Sequence, residues 1–164
     1  MTADTSVIGR TTARCRVVVE RGPVANFATA VTDSNPVYRD AEVAAAAGLD
    51  GLPVPPTFTF AVRTWGEQPE LQQDLEPVAG NAMAEAIGSL MDAGGLILHG
   101  EQSFDYHRPV VVGDVLRGEA TIVDLYEKES KGRTMTFLVV ETRWTDDRSG
   151  DPVVTERFNL IHRA

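Results

Sequence analysis

The sequence predicts an α+β fold in which an antiparallel sheet wraps around one apolar central helix. Residues 98–163 alternate apolar and polar side chains with a period of two, which is typical of strands with one packed and one wet face. Residues 14–65 instead carry apolar side chains at helical spacing after a single strand. Helices grouped before a run of strands favour an α+β layout over a parallel sheet with alternating helices.

The first third of the chain contains one strand and two short helices. Arg14–Glu20, with valines at its centre, is the first predicted strand. Pro23 suits the first turn of a helix, because its missing N–H would be unpaired there. This helix should end before the turn sequence Asp-Ser-Asn-Pro at 33–36. Asp40 is a suitable N-cap for a second helix over Ala41–Ala47.

The central helix is predicted over Thr57–Trp65, directly after a linker at 51–56 that is rich in glycine and proline. Most of its side chains are apolar, so we expect the helix to be buried on most sides. Residues 66–97 lack a clear period and are predicted to form a loop with roughly one or two helical turns.

Four further strands complete the predicted sheet, and turn-forming residues separate them. They are Leu98–Arg108, Val115–Tyr126, Thr134–Thr145 and Pro152–His162. The alternation divides the first of them into a face with Leu98, Phe104 and Tyr106 and a face with His99, Glu101, Ser103, Asp105 and His107. The histidines and the glutamate on the second face match no strong zinc spacing, so no metal site is expected.

The composition excludes several classes of protein. A formal net charge of −9 without a cluster of Lys and Arg argues against a nucleic-acid binder, because phosphates repel such a surface. Cys15 is the only cysteine, so no internal disulfide forms. The sequence begins without a signal-peptide pattern, and no apolar run approaches the roughly 18 residues of a membrane span. We therefore expect a cytoplasmic protein with residues 1–164 in one domain.

Three ordered motifs carry a resemblance to a known family. Residues 27–38 read Phe-Ala-Thr-Ala-Val-Thr-Asp-Ser-Asn-Pro-Val-Tyr, residues 51–58 read Gly-Leu-Pro-Val-Pro-Pro-Thr-Phe, and residues 104–114 begin Phe-Asp-Tyr-His-Arg-Pro and end Gly-Asp. Together they resemble the R-specific hydratase and MaoC-like dehydratase family, in particular its FAS1-like dehydratase N-terminal branch. The first motif is similar to the family signature of Asp, any residue, Asn, Pro, an aliphatic residue and His.

The resemblance implies the hot-dog fold, an antiparallel sheet wrapped around a central helix, in chains that pair as dimers. It also implies reversible syn elimination of water from a (3R)-hydroxyacyl thioester of coenzyme A or acyl carrier protein, without a metal or redox cofactor. In the family the motif Asp and His are the acid/base pair, and backbone N–H groups at the start of the helix hold the enolate oxygen. Asp33 matches the motif Asp, and Asn35 is placed to orient it.

Two positions depart from the family pattern. Tyr38 stands where the motif has His, and an unperturbed Tyr titrates at about pH 10 and is a poor base at neutral pH. Pro56-Thr57 stands where active relatives have His-Gly, and a branched residue restricts the close backbone approach that glycine permits. We therefore predict the substrate-binding subunit of a heterodimer, in which a partner hot-dog chain supplies the Asp and His.

The candidate site residues follow from the same resemblance. They are Asp33, Tyr38 and Asn35 as catalytic residues, and Pro56, Thr57, Phe58 and His99 as substrate-binding residues. Three alternatives stay open: a self-sufficient homodimeric hydratase that uses Asp33 and Tyr38, a non-catalytic acyl-thioester binding module, and a different fold. That fold is a cone-shaped NTF2-like barrel, with Thr57–Trp65 at the edge of its pocket.

Overall fold

The sheet of the protein is antiparallel throughout, as the computed structural model of residues 4–65, 69–92, 94–130 and 132–163 shows. Five strands hydrogen-bond in the order β1-β3-β4-β5-β2. They are β1 Thr11–Val18, β2 Leu96–Tyr106, β3 Val115–Ser130, β4 Arg133–Asp146 and β5 Pro152–Arg163. The predicted α+β class and its antiparallel sheet are confirmed.

The helices precede most of the strands, as the residue pattern predicted. They are α1 Arg21–Ala30, α2 Ala41–Ala46, α3 Phe58–Trp65, α4 Pro69–Gln72 and α5 Ala82–Asp92, with 3-10 turns at Thr5–Val7 and Pro36–Tyr38. Asp40 caps α2 as expected, because its side chain accepts hydrogen bonds from the backbone N–H groups of Glu42 and Val43. Across the described ranges, none of these helices has the length and apolar character needed to cross a membrane.

The predicted central helix, α3, packs against the inner face of the sheet. Phe58, Thr59 and Val62 are almost completely buried there, and the ring of Phe58 meets that of Phe27 edge-on at 5.5 Å. The opposite side of α3 faces solvent through Arg63 and Thr64. The helix is therefore buried on the side that faces the sheet, and the expectation that it is buried on most sides does not hold within this chain.

A second helix, α5, covers the other half of the inner face. It is 11 residues long, or about three turns, where the sequence predicted a loop with one or two turns. Ala82 and Ala86 are buried against a cluster that includes Ile122 and Leu138. The prediction was wrong because α5 binds the sheet through small side chains, which give little periodic signal in the sequence.

A bulge in β2 changes which side chains share a face. His99 pairs with Leu160, and Gln102 pairs with Phe158. Between these two pairs β2 advances by three residues, whereas β5 advances by two. The extra residue reverses the alternation, and His99 lies on the inner face with Tyr106. The predicted grouping of His99 with Glu101 and His107 was therefore wrong. Leu98 likewise does not share a face with Phe104 and Tyr106.

The two edges of the sheet differ. At the β1 edge the side-chain amide of Gln72 accepts a hydrogen bond from the Arg16 N–H at 2.9 Å and donates one to the Arg16 carbonyl at 2.8 Å. It thus occupies backbone groups that an added strand would use. At the β2 edge, Leu96 and Leu98 are 49% and 40% exposed. The β2 edge is therefore the more apolar of the two.

Candidate functional site

The motif residues meet at the amino end of α3, beside a groove of about 410 Å³. The turn after α1 supplies Asp33, and the next 3-10 turn supplies Tyr38. Thr57 directly precedes α3, and Tyr106 is the last residue of β2. The groove is lined by Pro53, Val54, Pro56, Tyr106, His107, Arg108, Pro109 and Val110. Its walls are mostly apolar, and polar atoms of Tyr106, His107 and Arg108 lie at the β2 end.

Asp33 is held by a turn that the Asp-Ser-Asn-Pro sequence builds. Its Oδ1 accepts a hydrogen bond from the Asn35 N–H at 3.0 Å. Asp side chains in turns commonly bind the backbone N–H two residues further along the chain. The Asn35 side chain faces the other way and accepts from the Val37 N–H at 3.0 Å, which caps the 3-10 turn. Asn35 therefore orients Asp33 through its backbone, and its side chain shapes the segment that carries Tyr38.

Tyr38 is buried, with 8% of its surface exposed. Burial raises the pKa of its phenol, and the charge of Asp33 and a hydrogen bond to the Asp33 side chain raise the pKa further. The phenol donates that hydrogen bond, because the carboxylate can only accept. At neutral pH, Tyr38 is thus a neutral donor bound to Asp33 and not a base.

Thr57 has a backbone conformation that is rare for its residue type. Its φ is +71°, in the left-handed region that β-branched residues adopt only under strain. In this conformation the Thr57 N–H donates a long hydrogen bond, 3.4 Å, to the Tyr106 hydroxyl. The next N–H, that of Phe58, donates to the Pro55 carbonyl at 3.1 Å. The N–H group expected to hold a thioester oxygen is therefore occupied by a side chain of the same protein.

The remaining substrate-binding candidates lie in different surroundings. Pro56 is exposed and lines the groove. The Phe58 side chain is 0% exposed in the core, so it does not line the groove. His99 lies farther along β2, with its ring 4.5 Å from that of Phe158 and 5.9 Å from that of Phe60. Within the four described ranges, no group of three or more His, Cys, Asp or Glu side chains is arranged to hold a metal ion.

Two residues of this site were missed by the sequence analysis. Tyr106 was assigned to a strand face only, although a Tyr on the core face next to a strand end has a hydroxyl that needs a partner. Glu156 is 5% exposed on β5 and accepts a hydrogen bond from the Thr59 hydroxyl at 2.9 Å. Burial raises the pKa of Glu156, and the hydrogen bond from Thr59 opposes this. A charged residue at an inward position of an alternating strand was the signal in the sequence.

Comparison with known families identifies the chain. Residues 6–156 match the family described as FAS1-like, dehydratase domain region. The chain belongs to this family. A UPF0336 protein of Streptomyces coelicolor is 33% identical over 170 residues, which cover 100% of this FAS1-like dehydratase chain and 97% of the relative. A UPF0336 protein of Thermobifida fusca is 34% identical over 146 residues, 89% of this chain and 84% of that one.

Solved structures share the fold of this FAS1-like dehydratase chain. The C-terminally truncated HadBC (3R-hydroxyacyl-ACP dehydratase) complex from Mycobacterium tuberculosis aligns with a TM-score of 0.68 and 22% identity, over 96% of this chain and 98% of that one. The ChsH1-ChsH2 complex from the same organism aligns with a TM-score of 0.74 and 20% identity, over 93% of this chain and 83% of that one. The (R)-hydratase from A. caviae involved in PHA biosynthesis aligns with a TM-score of 0.61 and 21% identity, over 96% of this chain and 98% of that one. The hot-dog fold is thereby confirmed.

Proposed function

We propose that this chain is the substrate-binding subunit of a heterodimeric (3R)-hydroxyacyl-thioester dehydratase, which also catalyses the reverse hydration of enoyl thioesters. The observation that carries the proposal is Tyr38, a buried phenol bound to Asp33 at the position where the family motif has His. The acyl group would be carried by coenzyme A or acyl carrier protein, in cytoplasmic fatty acid or polyketide metabolism. One hot-dog domain over residues 1–164 would perform this role without a metal or redox cofactor.

The chemistry of water elimination explains why Tyr38 matters. A base must remove the proton next to the thioester carbonyl, while an acid protonates the departing hydroxyl. The raised pKa of Tyr38 keeps its proton in place at neutral pH, and that proton is already donated to Asp33. Tyr38 therefore does not supply the base that the motif His provides in the family. A partner chain with an intact motif would supply the acid and base.

The apolar β2 edge supports pairing with a second hot-dog subunit. Gln72 occupies backbone groups of the β1 edge, whereas the β2 edge exposes Leu96 and Leu98. An exposed apolar edge is a favourable place for another chain to bind. Two of the structural neighbours, HadBC and ChsH1-ChsH2, are themselves complexes by name. The groove beside Thr57 would then continue into the partner subunit, and the thioester would lie along it.

The test is a hydration assay with and without a partner chain. The chain is purified alone and together with any hot-dog subunit that a neighbouring reading frame encodes, and each preparation is mixed with crotonyl-CoA. We expect no measurable turnover by the chain alone and turnover by the complex. Asp33→Asn in this subunit should leave the activity of the complex nearly unchanged. Robust hydration by the pure chain would contradict the heterodimer proposal.

A self-sufficient homodimeric hydratase is the second candidate. The contact between Asp33 and Tyr38 favours it, because a carboxylate and a phenol at the motif positions supply a proton acceptor and a hydrogen-bond donor. In that case Asp33→Asn should abolish the activity of the pure chain. Saturable binding of crotonyl-CoA without turnover in any combination of subunits would instead favour a non-catalytic acyl-thioester binding module.

A further inference from the structure

A buried carboxylate lies beneath α3 and has no part in the proposed acid/base chemistry. Glu156 is 95% removed from solvent, and Oε2 accepts a hydrogen bond from the Thr59 hydroxyl at 2.9 Å. Arg63 on α3 is the cation that acts on it, and Thr142 of β4 lies opposite it in the sheet. Burying a carboxylate costs free energy unless it is hydrogen-bonded. The groups that contact Glu156 therefore influence whether it is ionised or neutral.

The sheet register brings Tyr106 next to this carboxylate. Phe104 pairs with Glu156 and Tyr106 pairs with Val154, so Tyr106 and Glu156 are diagonal neighbours on the inner face. Long side chains at diagonal positions reach one another. The Tyr106 hydroxyl accepts a long hydrogen bond from the Thr57 N–H, 3.4 Å, and the Thr59 hydroxyl lies close enough to Tyr106 to lower its pKa against the effect of burial. A continuous row of hydroxyl groups thus leads from the buried Glu156 to the groove.

The protonation of Glu156 determines the direction of the hydrogen bonds in this row. Each hydroxyl has one proton to donate. When Glu156 is ionised, Thr59 donates to it and must accept the proton of Tyr106, which then points inward. When Glu156 is neutral, it donates to Thr59, Thr59 donates to Tyr106, and the Tyr106 proton points into the groove.

A thioester oxygen needs a donor, so these two arrangements differ in what they bind. We propose that Tyr106 is the groove residue that donates a hydrogen bond to the thioester oxygen, and that Glu156 acts through Thr59 as the residue that positions the Tyr106 proton. The identity of the ligand rests on the proposed function, whereas the link between Glu156 and Tyr106 does not. The other ionisable groups that face this row are Arg63, Tyr38 and, through Tyr38, Asp33.

The first test needs no ligand. The full chain is labelled with tyrosine carrying ¹³C at Cζ, and the Tyr106 resonance is identified by its loss in Tyr106→Phe. As pH rises through the titration of Glu156, the Tyr106 resonance should shift in the wild type. The shift should disappear in Glu156→Gln, whose amide holds the row in the neutral arrangement, and in Thr59→Val, which interrupts it.

Thr59→Ser keeps the hydroxyl and is the matched control for Thr59→Val. It should retain the pH-dependent shift of the Tyr106 resonance, because Thr59→Ser removes only the methyl group, whereas Thr59→Val replaces the hydroxyl group by a methyl group. The proposal is overturned if the Tyr106 resonance of the wild type does not shift with pH. It is also overturned if the resonance of Thr59→Val shows the same pH-dependent shift as the wild type. Because Glu156→Gln and Thr59→Val should each abolish the pH-dependent shift, unfolding of one of them does not remove the test.

The second test measures the dissociation constant of crotonyl-CoA with the same variants. Wild-type affinity should weaken as pH rises through the Glu156 titration, and Glu156→Gln should bind with an affinity that is independent of pH. Tyr106→Phe should bind about tenfold more weakly, a difference of about 1.4 kcal/mol. Equal binding by wild type and Tyr106→Phe overturns the role of Tyr106 and leaves the proposed function intact. A resonance shift without any thioester binding supports the Glu156 link and contradicts the proposed function.

Discussion

The two halves of the inner sheet face are built from different kinds of side chain. The half beneath α5 is closed by aliphatic residues such as Ile122 and Leu138, with alanines on the helix. The half beneath α3 contains an aromatic and aliphatic cluster around Trp144, but it also buries Thr59 and Glu156. Buried polar groups cost stability unless they are satisfied, and perturbed carboxylates gather at functional sites. Thr136 and His162 are also buried on the inner face, beyond Leu138, and the His162 ring is hydrogen-bonded to the Gly94 carbonyl. The two halves therefore differ in the buried carboxylate of Glu156, and this difference indicates that the α3 half contains the site.

The largest expected effect tests the α5 half as a purely structural region. Leu138 is 0% exposed, so Leu138→Ala should lower the free energy of unfolding by about 3 kcal/mol, because it removes buried methyl groups and leaves a cavity. Urea denaturation measures this loss. The matched control is Leu98→Ala at a position that is 40% exposed, where the change should stay within about 0.5 kcal/mol. A change in the pH dependence of the Tyr106 resonance in folded Leu138→Ala would break the distinction between the halves.

The next effect concerns the β2 edge of the sheet. Leu98→Lys places a charge on the apolar β2 edge and should weaken association with a partner hot-dog subunit about tenfold, or about 1.4 kcal/mol. Sedimentation velocity of the purified complex measures this affinity. Val123→Lys on β3 introduces the same charge at a position of similar exposure, 37%, and should leave association unchanged. Equal weakening by both variants would point to net charge and not to the β2 edge.

A smaller effect is expected from the backbone at the start of α3. Thr57→Gly should raise the free energy of unfolding by about 1 kcal/mol, because glycine adopts the +71° φ without the strain of a branched side chain. Thr64→Gly, in the same helix and exposed, should instead lower it by about 0.5 kcal/mol. Urea denaturation of both variants checks the signs. Destabilisation by Thr57→Gly would show that the Thr57 conformation is not strained.

The smallest effect is a slope of stability against pH. Because the pKa of Glu156 is raised in the folded protein, the folded state holds this proton at pH values where the unfolded chain has released it. The stabilisation is therefore complete below the unfolded pKa of Glu and is lost as pH rises through the folded pKa. Glu156→Gln should remove this loss, so its stability relative to the wild type should increase with pH.

Urea midpoints across the acidic and neutral range measure this slope. Glu101→Gln, on an exposed position of β2, is the control and should run parallel to the wild type. A Glu156→Gln curve that is also parallel to the wild type would mean that Glu156 titrates as in the unfolded chain. The buried carboxylate would then no longer distinguish the α3 half from the α5 half.

The prediction from sequence was best where the signal is local. The strands, the Asp40 cap of α2 and the placement of α3 follow from alternation, capping chemistry and apolar spacing, all of which extend over a few residues. It was wrong at the β2 bulge, where a Cβ on Gly100 would lie 2.8 Å from the Ile161 side chain and 3.0 Å from the Asn159 carbonyl oxygen, so that any other residue would displace Ile161. That contact depends on a residue of β5, so the pattern of β2 alone could not indicate it.

The amino-acid sequence by itself determined the family, the strands and the helices α1 to α3, and it has Tyr38 at the position where the resemblance places the motif His. Each of these features depends on the order of residues that are close together in the sequence. Only the tertiary structure decided that Tyr106 occupies the Thr57 N–H and that Thr59 leads to Glu156, since these pairs are 49 and 97 residues apart. Pairing of strands and packing of α3 bring them together, and hydrogen bonds depend on distances of a few tenths of an ångström that no local pattern encodes.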